Sequence, residues 1–415
     1  MNILKYIKRI LYFPVAHYFS FFAKIRLSLW KPTIVVITGS NGKTTLLHLI
    51  ESQLGNKAKH SHHANSSFGI PFNILGLDRK ELTLGEWPSL FLLAPARAFK
   101  SPPKENLYIV EADCDRPNEG KFLSSLLKPE VIIWLTVSKT HSLNFNNLET
   151  IANEFGYFLE VSSKLAILNG DNNLITKQIP RTQAKLGKIY KQNHLKAYQI
   201  FRSSTEFKID NNEYLFKFLL PEDTFYSITA CKLLLNYLNL AFDSSFKNFT
   251  LPPGRSSIFK GIKNTTIIDS SYNATPASMS ASLNMYKIYP ANKKWVILSD
   301  MIELGEEEEI EHQKLAKLIV DTKLDKVILM GPRIVKYTLP KLLEIEPKIA
   351  VEIYLTPIEV LNYLKKNITG GEVLFFKGAR FLEGIIEHLL KDKKDVSKLC
   401  RREKVWVERR KKWGL

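Results

Sequence analysis

Cysteine is scarce in this chain: Cys114, Cys231 and Cys400 lie far apart, and no C-x-x-C pair occurs. That spacing argues against a disulfide framework and against a zinc ribbon, and it fits a reducing cytoplasmic setting. A run of about 20 uninterrupted apolar residues, the length needed to cross a bilayer, is also missing. The aromatic N-terminus, MNILKYIKRILYFPVAHYFSFFAKIRLSLWKP, is broken by Pro14, His17, Lys24 and Arg26 and has no small-residue cleavage site. It therefore reads neither as a membrane span nor as a signal peptide. No internal repeat and no low-complexity segment is present.

Acid is absent from residues 1–31, which hold six Lys/Arg, and residues 391–415 hold eleven Lys/Arg against four Asp/Glu. The net charge of +18 therefore sits mainly at the two ends, as +6 and +7. Basicity confined to the ends argues against nucleic acid as a partner. The ends read either as solubilising tails or as a site of peripheral membrane contact. Residues 1–32 form a basic, aromatic helical segment, lying on an anionic membrane or packed on the protein's own core.

What is present is an α/β pattern over a chain of 415 residues, long enough for two or three domains. TIVVIT (33–38) reads as a buried strand and TTLLHLIESQL as the helix after it. Residues 106–113 and 130–137 read as strands, 147–161 as a helix, and 164–172 as a strand and turn. Residues 197–220 look like antiparallel strands around an Asn-Asn turn, followed by a helix over 227–241. LPPGR (251–255) breaks the pattern and marks a domain boundary. A second α/β series follows, with KWVILSDM, KVILMG and EVLFFKGAR as strands. Such alternation predicts a mainly parallel sheet in each half.

ITGSNGKTT (37–45) carries the clearest chemistry. Gly39 and Gly42 permit a tight turn with inward N–H groups, and Ser40, Asn41 and Thr45 belong to the same loop. The helix after it adds the positive end of its dipole, Lys43 can reach β/γ-phosphates, and the Thr44 hydroxyl can ligate Mg²⁺. The string is a short G-x-x-G-K-T form, since Ile37 occupies the place of the usual first glycine.

Downstream strings narrow the chemistry: NSSFGIPFNILG (65–76), VEADCDRPNEG (110–120), AILNGDNN (166–173), LPPGRSSIF (251–259), IIDSSYNATPASMSASL (267–283), LSDMIELGEEEEIEH (298–312) and LFFKGARFLEGI (374–385). With these the chain resembles the Mur ligase family, the ATP-dependent amide ligases of cell-wall peptide synthesis, in its MurF-like branch. The resemblance implies a P-loop central domain over 33–250, a C-terminal Rossmann-like α/β domain over 251–390, and a basic tail over 391–415. It implies that ATP activates a carboxylate of a UDP-MurNAc-peptide as an acyl phosphate, which an amino acid or D-Ala-D-Ala amine then attacks. By the same resemblance Lys43, Glu111 and His141 are catalytic, with Thr44, Glu111 and His141 at Mg²⁺. Arg255, Asp269, Tyr272 and Asn273 join the loop in binding ATP, and Asn65, Asp300 and Lys377 meet the substrates.

Three departures stand out. Only 32 residues precede the first strand, where relatives carry a UDP-sugar domain. Phe155 occupies the place of a lysine that many relatives modify to a carbamate. Leu135-Thr136 replaces a Thr-Asn pair, so adenine contacts should differ. Other readings stay open: ligation of a folate, polyglutamate or cofactor substrate, or a non-catalytic scaffold. His60, His62 and His63 look like a metal cluster but read first as a polar loop before Asn65, and Glu306–Glu309 as the acidic first turn of a helix.

Overall fold

The computed structural model describes residues 3–62, 64–79, 84–139, 144–145 and 147–415. Helix α1 (Ile3–Trp30) leads into β1 (Thr33–Thr38), α2 (Lys43–Leu54), β2 (Ala58–His60), α3 (Gly69–Leu75), α4 (Trp87–Ala98) and β3 (Leu107–Glu111). Next come α5 (Glu119–Leu127), β4 (Val131–Trp134), α6 (Leu148–Val161), β5 (Leu165–Asn169), the short α7 (Asn173–Thr176) and β6 (Lys185–Ile189). A single turn, α8 (Lys191–His194), precedes β7 (Leu195–Ile200), β8 (Thr205–Ile209), β9 (Asn212–Phe216) and α9 (Thr224–Tyr237). The chain continues through β10 (Ser257–Lys260), β11 (Thr266–Asp269), α10 (Pro276–Ile288), β12 (Lys294–Ser299), α11 (Glu308–Thr322) and β13 (Lys326–Met330). It ends with α12 (Leu339–Ile345), β14 (Val351–Tyr354), α13 (Pro357–Asn367), β15 (Val373–Lys377), α14 (Leu382–Leu389) and α15 (Lys404–Lys411).

Two compact units result. The first holds the described residues of Met1–Val137, Asn144–Lys191 and Tyr226–Phe249, and the second holds the remainder. Residues 192–225 thus group with the second unit, whereas the sequence pattern alone assigns them to 33–250.

In the first unit six strands lie in the order β2-β3-β1-β4-β5-β6, all parallel. The central strands are buried on both faces, as the unbroken β-branched run of TIVVIT requires. Helix α1 packs on this unit's own core through Ala16, Phe19, Ala23 and Trp30, spaced to share one helical face. Arg26 fastens it. Its buried guanidinium donates to the carbonyls of Arg97, Lys100 and Ser101 at 2.8, 2.7 and 3.0 Å, closing the end of α4. Among the described residues, no helix is long and apolar enough to cross a membrane.

Two buried glutamates hold the start of α5. Glu154 accepts from the N–H groups of Asn118 and Gly120 at 2.8 and 2.9 Å. Glu119 accepts from the Tyr12 hydroxyl, the Ser67 hydroxyl and amide, and the Asp115 amide. The second contact set ties α1 and the Asn65 segment to the end of β3.

The second unit carries a six-stranded sheet in the order β10-β11-β15-β12-β13-β14, parallel except for β10 against β11. Beside it, β7-β8-β9 form an antiparallel sheet. Its β8–β9 turn is Asp210-Asn211, since Ile209 pairs with Asn212, and Asp210 takes φ 52°. The expected Asn-Asn turn is therefore shifted by one residue. Helix α9 likewise begins and ends earlier than 227–241.

Residues 391–415 do not hang free. Leu399 and Cys400 are buried, α15 follows, and Leu415 packs on the core with α13 and α14. Fully buried Glu383 faces Arg401 at 3.2 Å and Arg410 at 3.5 Å. The "basic tail" is a folded part of the second unit because Arg401 and Arg410 neutralise Glu383, the acid that α14 buries.

Arg26→Ala should cost about 2–3 kcal/mol of stability, because three carbonyls lose a charged donor. Arg26→Lys should recover only part, since an ammonium lacks the planar fork. Thermal melts of the three proteins check this.

Candidate functional site

Strand β1 delivers the chain into Gly39-Ser40-Asn41-Gly42 and then α2. Gly39 and Gly42 have φ 121° and 87°, a region that L side chains rarely occupy. A Cβ on Gly39 would lie 2.7 Å from the Thr136 carbonyl oxygen, so the loop also needs glycine for space. Thr136, just past β4, holds the middle of the turn. Its carbonyl accepts from the Ser40 N–H at 2.9 Å, and its hydroxyl accepts from the Asn41 N–H at 2.9 Å.

Lys43 opens α2 and is 6% exposed. Its ammonium donates to the Gly39 carbonyl and pairs with Asp113 at 2.7 Å. Burial alone lowers the pKa of this ammonium, but Asp113 and then Glu111 outweigh it and hold the group above its ordinary value. The lysine is thus a fixed positive charge inside the loop. Next to it the Thr44 hydroxyl donates to Glu111, 3.0 and 3.2 Å from the two carboxylate oxygens. Glu111 is buried at the end of β3, and its N–H donates to the Ser61 hydroxyl at 2.8 Å.

The Ser40 and Asn41 amides, expected to point inward, are instead turned onto Thr136, which leaves the N-terminus of α2 and the buried ammonium as the features that suit a polyphosphate. The Thr44 hydroxyl and the Glu111 carboxylate supply hard oxygen donors at the same place, which suits Mg²⁺. The structure therefore brings Gly39, Ser40, Asn41, Gly42, Lys43, Thr44, Thr45 and Glu111 into one cradle. Asn65 lies nearby, its carbonyl accepting from the Asp113 N–H at 2.8 Å. His141 lies outside the described residues.

The second unit assembles its own polar cluster at the carboxyl ends of β11 and β15. Asp269 is fully buried; one oxygen accepts from the Ser271 N–H at 2.9 Å, and Oδ2 has no hydrogen-bond partner among the described residues. Burial pushes its carboxyl up to about 6, against the pull of Ser271. Lys377, buried, donates to the Asn273 carbonyl at 3.2 Å. Burial and then the charge of Arg255 bring its ammonium down to about 7, with Asp269 opposing. Arg255 stacks 4.7 Å over the Tyr272 ring. An orphaned carboxylate oxygen beside a weakened ammonium is an arrangement that a polar ligand would complete.

Asp300 behaves differently. At the end of β12 it is fully buried, bonded to the amides of Arg333 and Ile334 at 3.1 and 2.9 Å and to Arg380 Nε at 2.8 Å. Its oxygens are committed within the unit, where they orient Arg380.

Comparison with known proteins matches residues 37–228 to the Mur ligase middle domain and residues 254–380 to the Mur ligase glutamate ligase domain. The chain belongs to the Mur ligase family. A UDP-N-acetylmuramoyl-tripeptide–D-alanyl-D-alanine ligase of Bacillus subtilis is 24% identical over 379 residues, covering 86% of this chain and 75% of the relative. The same-named protein of Rickettsia prowazekii is 27% identical, over 84% and 76%. In fold, the chain is similar to a MurF ligase of Thermotoga maritima solved with ADP, with TM-score 0.73, 22% identity and coverage of 92% and 84%. A MurF of Acinetobacter baumannii gives TM-score 0.74 at 18% identity, over 90% and 80%.

Against the family pattern, Phe155 is a core residue, 1% exposed and packed edge-on against Trp134, and offers no ligand. Two residues of this Mur ligase escaped the sequence reading. Asp113 follows Glu111 by two positions, a spacing that could have marked it as a partner for Lys43. Thr136 was read only as a departure, and its grip on Asn41 needs the fold to be seen. Of the histidines read as a polar loop, His60 ends β2 instead, and His62 lies in the turn after it with its ring 2.8 Å from Glu51 of α2. His63 lies outside the described residues.

Thr136→Val should remove the hydroxyl that accepts from the Asn41 N–H and weaken ADP binding about tenfold, the effect of roughly one lost hydrogen bond. Thr136→Ser should bind normally. Calorimetric titration of each variant with ADP checks the pair.

Proposed function

We propose that this chain is a cytoplasmic, ADP-forming acid–amino-acid ligase acting on a cell-wall precursor. The carboxylate of a UDP-MurNAc-peptide takes the γ-phosphoryl group of ATP, and the amine of D-Ala-D-Ala or of an amino acid displaces phosphate. The observation that carries this reading is the buried Lys43, ion-paired to Asp113 within a phosphate-type loop, in a chain of Mur ligase middle and glutamate ligase domains.

Lys43 and the N-terminus of α2 would neutralise and align the transferred group, the main demand of phosphoryl transfer. Mg²⁺, held by Thr44 and Glu111 with His141, would supply further charge neutralisation there. Ser40, Asn41 and Thr45 would bind the phosphates through the loop and the first turn of α2. Arg255, Asp269, Tyr272 and Asn273 are assigned to the nucleotide, and Asn65, Lys377 and Asp300 to the substrates, Asp300 by way of Arg380.

Phosphate release from ATP should require both UDP-MurNAc-tripeptide and D-Ala-D-Ala. Lys43→Ala should lower it at least about 100-fold, as for other charge-stabilising groups. Release at equal speed without either substrate would reduce the assignment to a nucleotide hydrolase. A panel of other carboxylate and amine pairs separates the alternative substrates.

We also infer that the first unit meets an anionic lipid surface, through the outer side of α1 and α4 rather than through both charged ends. Phe21, Leu92 and Phe99 are 60, 80 and 69% exposed. Exposed Lys24, Lys31 and Lys100 follow exposed apolar residues within three positions, and residues 1–31 and 87–104 contain no acid. Apolar wedges interleaved with lysines match acyl chains and anionic headgroups. The chain should sediment with vesicles containing about one-third phosphatidylglycerol and not with neutral ones, less so as salt rises. Phe21→Ser/Leu92→Ser/Phe99→Ser should abolish it. A concentration-dependent dimer lost in that variant, or equal sedimentation of both proteins, would overturn the inference.

A further inference from the structure

A second cluster of donor atoms lies further along α2 from the phosphate loop. His48 and Glu51 share one face of that helix, three positions apart, and His62 comes from the turn after β2. Glu51 Oε1 is 2.8 Å from His62 Nε2, and Glu51 Oε2 is 3.5 Å from His48 Nδ1. The two imidazole rings are 5.0 Å apart, and one ligand atom from each of the three residues lies within 4.8 Å of the others. A fourth imidazole, His60, has its ring 6.0 Å from that of His62, and its buried Nε2 has no hydrogen-bond partner among the described residues.

We propose that His48, Glu51 and His62 hold a transition-metal ion of the Zn²⁺ class, with His60 adjoining the site. Two imidazoles among three donors suit a borderline ion, whereas Mg²⁺ accepts few nitrogen ligands. An ion pair between His62 and Glu51 alone would account for neither the third donor on the same helix nor the unpartnered imidazole beside it. The donors also come from two separate elements, so one ion would cross-link α2 to the segment after β2.

That link reaches the candidate active site. Ser61 lies between His60 and His62; its hydroxyl accepts the Glu111 N–H at 2.8 Å, and its own N–H donates to the Ile109 carbonyl at 3.1 Å. Metal at the cluster would fix the chain on the far side of Ser61 and so steady the backbone that carries Glu111. The ion takes no part in the reaction; it positions a residue that faces Thr44.

The test uses the full chain, stripped with a chelator and titrated with Zn²⁺ against a chromophoric competitor in excess Mg²⁺. No nucleotide or substrate is present, so the outcome is independent of the ligase reading. One ion should bind per chain and raise the melting temperature. In His48→Ala/His62→Ala, affinity should fall at least about tenfold and the thermal shift should vanish, as losses at a metal's ligand shell do. Should the metal-free double variant melt lower than the metal-free parent, Glu51→Gln decides, with the same loss expected. Absence of stoichiometric Zn²⁺ uptake in excess Mg²⁺ overturns the proposal, as does uptake unchanged in these variants.

Discussion

Everything in the candidate site of the first unit depends on keeping one ammonium charged while it is buried. Lys43 is enclosed, and taking a cation from water is costly unless opposite charge and hydrogen bonds replace the lost hydration. Asp113 and the Gly39 carbonyl do so. Asp113 can stand there because β3 lies beside β1 in a parallel sheet, with Ile37 in register with Glu111. The loop geometry follows from the same sheet, because β4 on the other side of β1 leads into Thr136, which grips Ser40 and Asn41. The phosphate cradle is therefore a product of three adjacent strands and their order more than of its own seven residues.

The second unit uses the same topological rule with different residues. Asp269, Asp300 and Lys377 all lie at or just past carboxyl ends of parallel strands, where ligands of open α/β sheets bind. Yet they are not equivalent. Asp300 has its acceptor capacity filled by backbone amides and Arg380, so it acts as scaffold. Asp269 and Lys377 keep shifted proton affinities, which places adaptable charge at that end of the sheet.

Much of this was legible in the residues. Long apolar strands such as TIVVIT and EVLFFK announce buried parallel sheet, and the glycine loop between strand and helix announces its role. Strand-end residues could be picked out because parallel sheets collect chemistry there. What could not be read was short or non-local. Strand β2 has three residues, and β6 exposes most of its positions at a sheet edge, so neither carries a clear hydrophobic pattern. The grip of Thr136 on Asn41 spans 95 positions, and the docking of Arg401 and Arg410 on Glu383 joins a charged terminus to a helix that looks complete without it. Charge counting makes the last 25 residues a tail, whereas the acid they neutralise is buried and invisible to such a count.

That last contact constrains how the chain can diverge. Arg401 also donates to the Tyr272 carbonyl at 2.7 Å, within the segment that contains Asn273 and follows Asp269. A lineage that exchanged Arg401 would leave Glu383 short of a counter-ion and loosen Tyr272 in one step. Drift at this C-terminal arginine is therefore coupled to a helix and to a loop far away in sequence, and the three should vary together among descendants or not at all.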